Sequence, residues 1–239
     1  MRTDRMNTVV VGTLFILGTV TGVIAASIES PILSESDYLA RISANEGQIT
    51  IAAFLQFLMA MSCAGIGIAL FPIMKKYREG QAVAVAGFRI IEGMIQVAGG
   101  VSTICLLSLS QEFVRAGAAN SASLQTLGTI IRAGTNWMNN GAMLLSWCIA
   151  ALMYYSVFFQ YRLVPRWLSG WGLVGIGLTI LSSVLITLKI IPMSDTLQMV
   201  FNLPIALQEM VFALWLIVKG LNPSAVAHQP ARQQVSYIS

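Results

Sequence analysis

Charge is scarce in this chain. Lys, Arg, Asp and Glu make up 10% of its 239 residues, against about 25% in an ordinary soluble domain. Histidine is scarcer still, since the one histidine, His228, lies in the polar C-terminal stretch. With none in the apolar body, a serine–histidine dyad and an HExxH zinc site are excluded there. Asp4, Asp37 and Asp195 fall outside the apolar runs, which removes an aspartyl pair within them, and no GxxxxGK[ST] phosphate loop occurs. The three cysteines, Cys63, Cys105 and Cys148, all lie in apolar segments. An odd number with none in a loop argues against a disulfide framework and against metal-ligand spacing, so they read as small packing residues. No cofactor and no metal is expected.

What remains is apolar: 56% of residues are hydrophobic and the mean hydropathy is +0.75. Long apolar runs with so little charge mean that lipid is the solvent for most of the surface. The net charge of +4 raises nucleic acid as a partner. The basic residues sit mostly at helix ends, however, where they read as a topological signal. The expected partner is therefore the lipid bilayer, and nucleic acid is not expected.

A transmembrane helix needs roughly 20 mostly apolar residues. Six windows qualify, near Thr8–Ser27, Ile49–Met74, Ala82–Leu107, Trp137–Phe159, Leu168–Leu188 and Met199–Val218. The first exceeds the usual apolar core of a signal peptide and reads as a retained span. The first loop carries Glu29, Glu35, Asp37 and Glu46 against Arg41, whereas the second carries Lys75, Lys76 and Arg78 against Glu79. Arg162 and Arg166 stand without an acid between spans four and five, and Lys219 and Arg232 follow the last span. The loop after span three, with Arg115 and Arg132 against Glu112, is a mild exception. This alternation predicts an all-α polytopic membrane helix bundle of about six transmembrane helices, N-in/C-in. Residues 1–223 form one integral-membrane domain in this reading, and residues 224–239 a short polar cytoplasmic tail. Tyr77, Tyr154, Tyr155, Tyr161, Trp167 and Trp171 cluster toward the cytoplasmic ends and are expected in the headgroup layer. Between Gln111 and Asn136, Leu124, Leu127, Ile130 and Ile131 recur at helical spacing, which predicts an external interfacial helix.

Several motifs are familiar in order. "GFRIIEGM" in span three, "YRLVPRWLSGWGLVG" entering span five and "LPIALQEMVFALWLIVKGLNPSA" near the end resemble the bacterial family catalogued as domain of unknown function 4386. "VVVGTLFILGTVTGVIAA", "PILSESDYLA" and "LLSLSQEFVRAG" are similar to it too, so the resemblance covers nearly the whole chain to Ser224. It implies a multi-pass protein of the bacterial inner membrane and carries no activity.

The most informative feature is polar. Arg89, Glu92 and Gln96 follow i, i+3, i+7 spacing and share one helix face within span three. A charge at the bilayer midplane costs at least about 2.5–3.5 kcal/mol unless it is paired or hydrated. Span six brings Gln208 and Glu209 to a similar depth, span two brings Gln56, and span four brings Asn139 and Asn140. Two acids against one base leave a carboxylate short of a cation. The first functional reading is a non-enzymatic structural clasp in which Arg89 bridges both carboxylates. The alternative is a small-molecule or ion transporter with a proton-linked glutamate, and Pro204, which frees backbone carbonyls in the same layer, lends it some support. An intramembrane enzyme is third, because no nucleophile is seen paired to the glutamates. The Gly18–Gly22 GxxxG pair reads as internal packing, with a homo-oligomer left open. The small-molecule ligand, if there is one, is not legible.

Overall fold

The computed structural model describes residues 2–117, 121–187 and 195–222. Among them there is no strand. In hydrocarbon every backbone N–H and C=O must be satisfied within its own segment, and helices accomplish this. The helices are α1 (Arg2–Leu33), α2 (Tyr38–Ala44), α3 (Glu46–Met74), α4 (Glu79–Ala116), α5 (Ser121–Trp137), α6 (Leu144–Gln160), α7 (Arg166–Thr187) and α8 (Asp195–Val218). A π-helical turn, Met138–Met143, joins α5 to α6 without a break. Six stretches are long and apolar enough to cross a membrane, as the sequence windows predict. The expected polar tail, 224–239, and Leu188, the last residue of the fifth window, lie outside the described residues.

The six spans pack in a ring. α1 contacts α3 and α8, α3 contacts α4, α4 contacts α6, α6 contacts α7, and α7 closes against α8. Small residues permit the closest approaches: a Cβ on Gly12 would fall 2.6 Å from the Ala213 carbonyl oxygen, and one on Gly93 would fall 2.8 Å from that of Ala60. Gly18 and Gly22 face Ser62 and Met59 of α3, so the GxxxG pair is internal packing as expected.

Both ends of the described chain meet at the end of the bundle that carries Lys75, Lys76 and Arg78, hereafter the basic end. Asp4 pairs with Lys76 at 2.6 Å. Arg5 donates to the carbonyl oxygen of Leu216 at 2.9 Å and to that of Val218 at 3.2 Å. A cation there answers the unsatisfied carbonyls and the negative dipole end of α8. Gly220, at φ 73°, then turns the chain, and Asn222 donates its N–H to the Leu163 carbonyl at 2.8 Å.

One expectation needs correction. Tyr154 and Tyr155 do not sit in a headgroup belt, since both are fully buried. With Phe15, Phe158 and Phe212 they form a ring cluster that fills the bundle centre toward the basic end; Tyr154 and Tyr155 lie 4.4 Å apart and Phe15 meets Phe212 at 5.6 Å. α6 is flanked by α4 and α7 and faces the ring interior, so its aromatic pair has no route to lipid. Tyr77 and Tyr161, 5.0 Å apart, do lie at the basic end. α5 forms where the sequence predicts a helix and leads into span four; it packs antiparallel along α4, with the Cβ position of Gly128 3.3 Å from Leu109. α4 has 38 residues, about 57 Å at 1.5 Å per residue, nearly twice the ~30 Å hydrocarbon core. Its last turns pack with α5 and α2 around a second apolar core of Ile32, Tyr38, Leu39, Ile42 and Leu106.

Candidate functional site

α4 supplies the chemistry. Arg89 and Glu92 are 2% and 3% exposed, so neither snorkels to an interface. Arg89 Nη1 lies 3.0 Å from Glu92 Oε2 and donates to Oε1 at 3.3 Å. Arg89 Nε donates to the Cys63 carbonyl of α3 at 3.2 Å, and the guanidinium stands 5.8 Å from the Phe15 ring centroid. Both interactions hold the guanidinium in one place, and a buried pair needs such satisfaction to offset its desolvation. A Cβ on Gly67 would come within 2.7 Å of Arg89 Cβ, so the bare glycine lets α3 approach this layer.

These groups line a cavity of about 220 Å³ enclosed by α1, α3, α4, α6 and α8. At ~30 Å³ per water that is room for roughly seven waters. Phe15, Ile66 and Arg89 lie on the side of the aromatic cluster, and the walls reach Met143, Leu144 and Asn202 toward the opposite end. Most of the lining is apolar, with Arg89, Glu92 and Glu209 as its charged members. The cavity is not sealed, because Ala206 is exposed and Glu209 keeps intermediate exposure.

Glu209 is the anomalous member. Arg89 forms its ion pair with Glu92, and no cation stands within ion-pair distance of Glu209 among the described residues. The Trp147 indole and Tyr154 phenol face its carboxylate, yet Oε1 is buried without a hydrogen-bond partner, and so is the Tyr154 hydroxyl. The titratable groups around Glu209 are Arg89 and Glu92 of α4, Cys63 of α3, and Cys148, Tyr154 and Tyr155 of α6. α1 presents Phe15, Gly18 and Thr19 to the cavity, none of them titratable.

The structure sorts the polar residues singled out in the sequence into separate places. Arg89, Glu92 and Glu209 share the cavity, but Arg89 does not bridge the two carboxylates at ion-pair distance. Gln208 turns the other way: it accepts from the Tyr155 hydroxyl at 2.6 Å and donates to the Leu168 carbonyl at 2.9 Å, tying α6, α8 and α7. Gln56 donates to both oxygens of Glu29, at 2.6 and 2.7 Å. Glu29, expected in the acidic first loop, belongs to α1. Gln96 is buried one turn beyond Glu92, and its Oε1 lacks a partner. Asn139 lies in the π turn facing Gly99, while Asn140 is exposed and joins no cluster. Such single π turns recur at functional sites, and Met143 at the end of this one lines the cavity.

Sequence reasoning missed Glu29, Trp147, Asn202 and the part played by Cys63. Cys63 faces Glu92, so a thiol and a carboxylate share the cavity wall. Asn202 accepts from Thr179 of α7 at 2.9 Å. α8 continues through Pro204, with Asn202, Ile205, Ala206 and Glu209 lining the cavity on either side of it.

No curated protein and no solved structure matches the chain. One family model does match, over residues 10–220, most of the chain and all the charged residues of the cavity. The protein therefore belongs to the family described as Domain of unknown function (DUF4386).

Proposed function

We propose that this multi-pass protein is a proton-linked carrier of a small solute in a bacterial cytoplasmic membrane, with the central cavity as its binding site. One observation carries the reading: a carboxylate, Glu209, faces an open, mostly apolar cavity without a cation of its own. Ionisable groups within membrane spans mark solute and proton pathways by default. Arg89 is ion-paired with Glu92, so Glu209 is the carboxylate left to exchange a proton for a solute. Solute flux into liposomes with an imposed proton gradient tests this. Wild type should accumulate solute and Glu209→Gln should not, whereas equal flux in both, or none in either across a broad solute panel, refutes the reading.

A structural clasp is the second reading, and it rests on different residues. The Arg89–Cys63 and Tyr155–Gln208–Leu168 contacts tie neighbouring helices directly. Those contacts need neither Glu209 nor the cavity, so the two roles coexist.

A further inference from the structure

Resting on the reading of the cavity as a solute site, we infer that its solute is a small organic cation with an apolar body, an amine whose ammonium group pairs with Glu209. Charge complementarity points this way. Two carboxylates and one guanidinium face the cavity, and the guanidinium is committed to Glu92 at 3.0 Å and to the Cys63 carbonyl at 3.2 Å. An anionic solute would find no unpaired cation in the cavity lining among the described residues and would meet Glu209 as a like charge. A neutral polar solute would leave that carboxylate without a counter-charge in a mostly apolar site. A cation supplies the counter-charge, and an N–H on it supplies a donor for Oε1, which has no hydrogen-bond partner.

The rest of the lining fits the body of such a ligand. Phe15 and Trp147 bound the cavity beside Met59, Ile66, Leu144 and Ile205. Aromatic faces attract a cation, by more when it is desolvated, and thioether and aliphatic groups accommodate an apolar chain. A cavity of about 220 Å³ limits the solute to a single ring or a short chain. The same carboxylate then holds either a proton or the ammonium group, and that exclusion is how one residue couples the two.

The test uses three probes of one shape: 2-phenylethylamine, 2-phenylethanol and phenylacetate, titrated into the full chain in detergent by calorimetry and by thermal shift. The amine should bind at least tenfold more tightly than the alcohol, and phenylacetate should not bind. Glu209→Gln should erase the amine's advantage while leaving alcohol binding unchanged, and Glu209→Asp, which keeps the charge, should retain most of it. Lowering the pH from 8 to 5.5, with the amine cationic throughout, should weaken amine binding in wild type and leave it unchanged in Glu209→Gln. Equal binding of alcohol and amine, preference for the acid, amine binding indifferent to Glu209→Gln, or no binding at millimolar probe overturns the inference. The two readings fail separately: acid or alcohol binding with proton-driven flux leaves the carrier standing, and amine binding without flux leaves the site standing.

Discussion

Replacing Arg89 with alanine should be among the most damaging single changes to the bundle. Arg89 and Glu92 are 2% and 3% exposed, and the pair is closed at 3.0 Å. Removing the guanidinium leaves the Glu92 carboxylate buried without its cation, a change that costs about 3–5 kcal/mol. The Cys63 carbonyl also loses a charged donor, and the Phe15 ring loses its cation. These losses overlap and do not add. At about 2–4 °C per kcal/mol for a chain of this size, the midpoint of thermal unfolding should fall by roughly 6–20 °C. Tryptophan fluorescence during heating in detergent measures the midpoint. The double variant Arg89→Ala/Glu92→Gln should recover much of the loss, because it removes the stranded charge. Arg89→Ala/Glu209→Gln should recover little, since Glu209 is not Arg89's ion-pair partner. An unchanged midpoint for Arg89→Ala would mean that the guanidinium is not committed to Glu92. Rescue through Glu209 instead of Glu92 would mean that the bridging clasp, and not this pairing, is right.

Three further outcomes are expected. Single cysteines at Ser36 and Gly80, both exposed, should be labelled from opposite faces of intact cells, Ser36 from outside, and labelling from one face overturns the six-span topology. Gly93→Ala, whose Cβ would lie 2.8 Å from the Ala60 carbonyl oxygen, should lower the thermal midpoint by several degrees, while Gly87→Ala, inside α4 with nothing within 4 Å, should hold or slightly raise it. Gln208→Leu strands the Tyr155 hydroxyl and withdraws a donor from the Leu168 carbonyl, at about 1–3 kcal/mol for each buried orphan. It should lower stability without altering any binding that depends on Glu209, as titration of the variant would show.

The spans were legible because length and hydropathy alone decide them: a run of about 20 apolar residues has little choice in lipid. Arg89 and Glu92 were legible because three residues along a helix restores the same face. The way the other polar residues divide was only partly legible. Gln208 and Glu209 are consecutive and so about 100° apart around α8; here Glu209 lines the cavity while Gln208 turns to Tyr155 and Leu168. The same geometry separates Asn139 from Asn140. Which member of each pair points inward depends on the order of helices around the ring, and periodicity does not encode that order. The apolar window stops at Ser27 and so places Glu29 in a loop, whereas α1 runs on to Leu33 and carries Glu29 to Gln56. The burial of Tyr154 and Tyr155 was hidden for the same reason, since a tyrosine near the end of a span is amphipathic whichever way it points.

Glu209 separates a functional residue from a structural one through the sign of a stability change. Its Oε1 is buried and closes no hydrogen bond, although the Trp147 indole and the Tyr154 hydroxyl face the carboxylate. An unsatisfied buried acceptor costs about 1–3 kcal/mol, more when it is charged. Glutamine keeps the length and shape of the side chain, removes the charge and adds an N–H₂ donor. If Glu209 is retained for a solute or a proton, Glu209→Gln should therefore raise the thermal midpoint by a few degrees while abolishing proton-linked flux, the trade that strained functional sites make against stability. If Glu209 instead helps to hold the bundle by balancing Arg89 at longer range, the same variant should lower the midpoint, as Arg89→Ala does. One pair of measurements on one purified variant, melting and flux, decides the matter. A lowered midpoint with unaltered flux removes Glu209 from the mechanism and leaves the cavity without its functional residue.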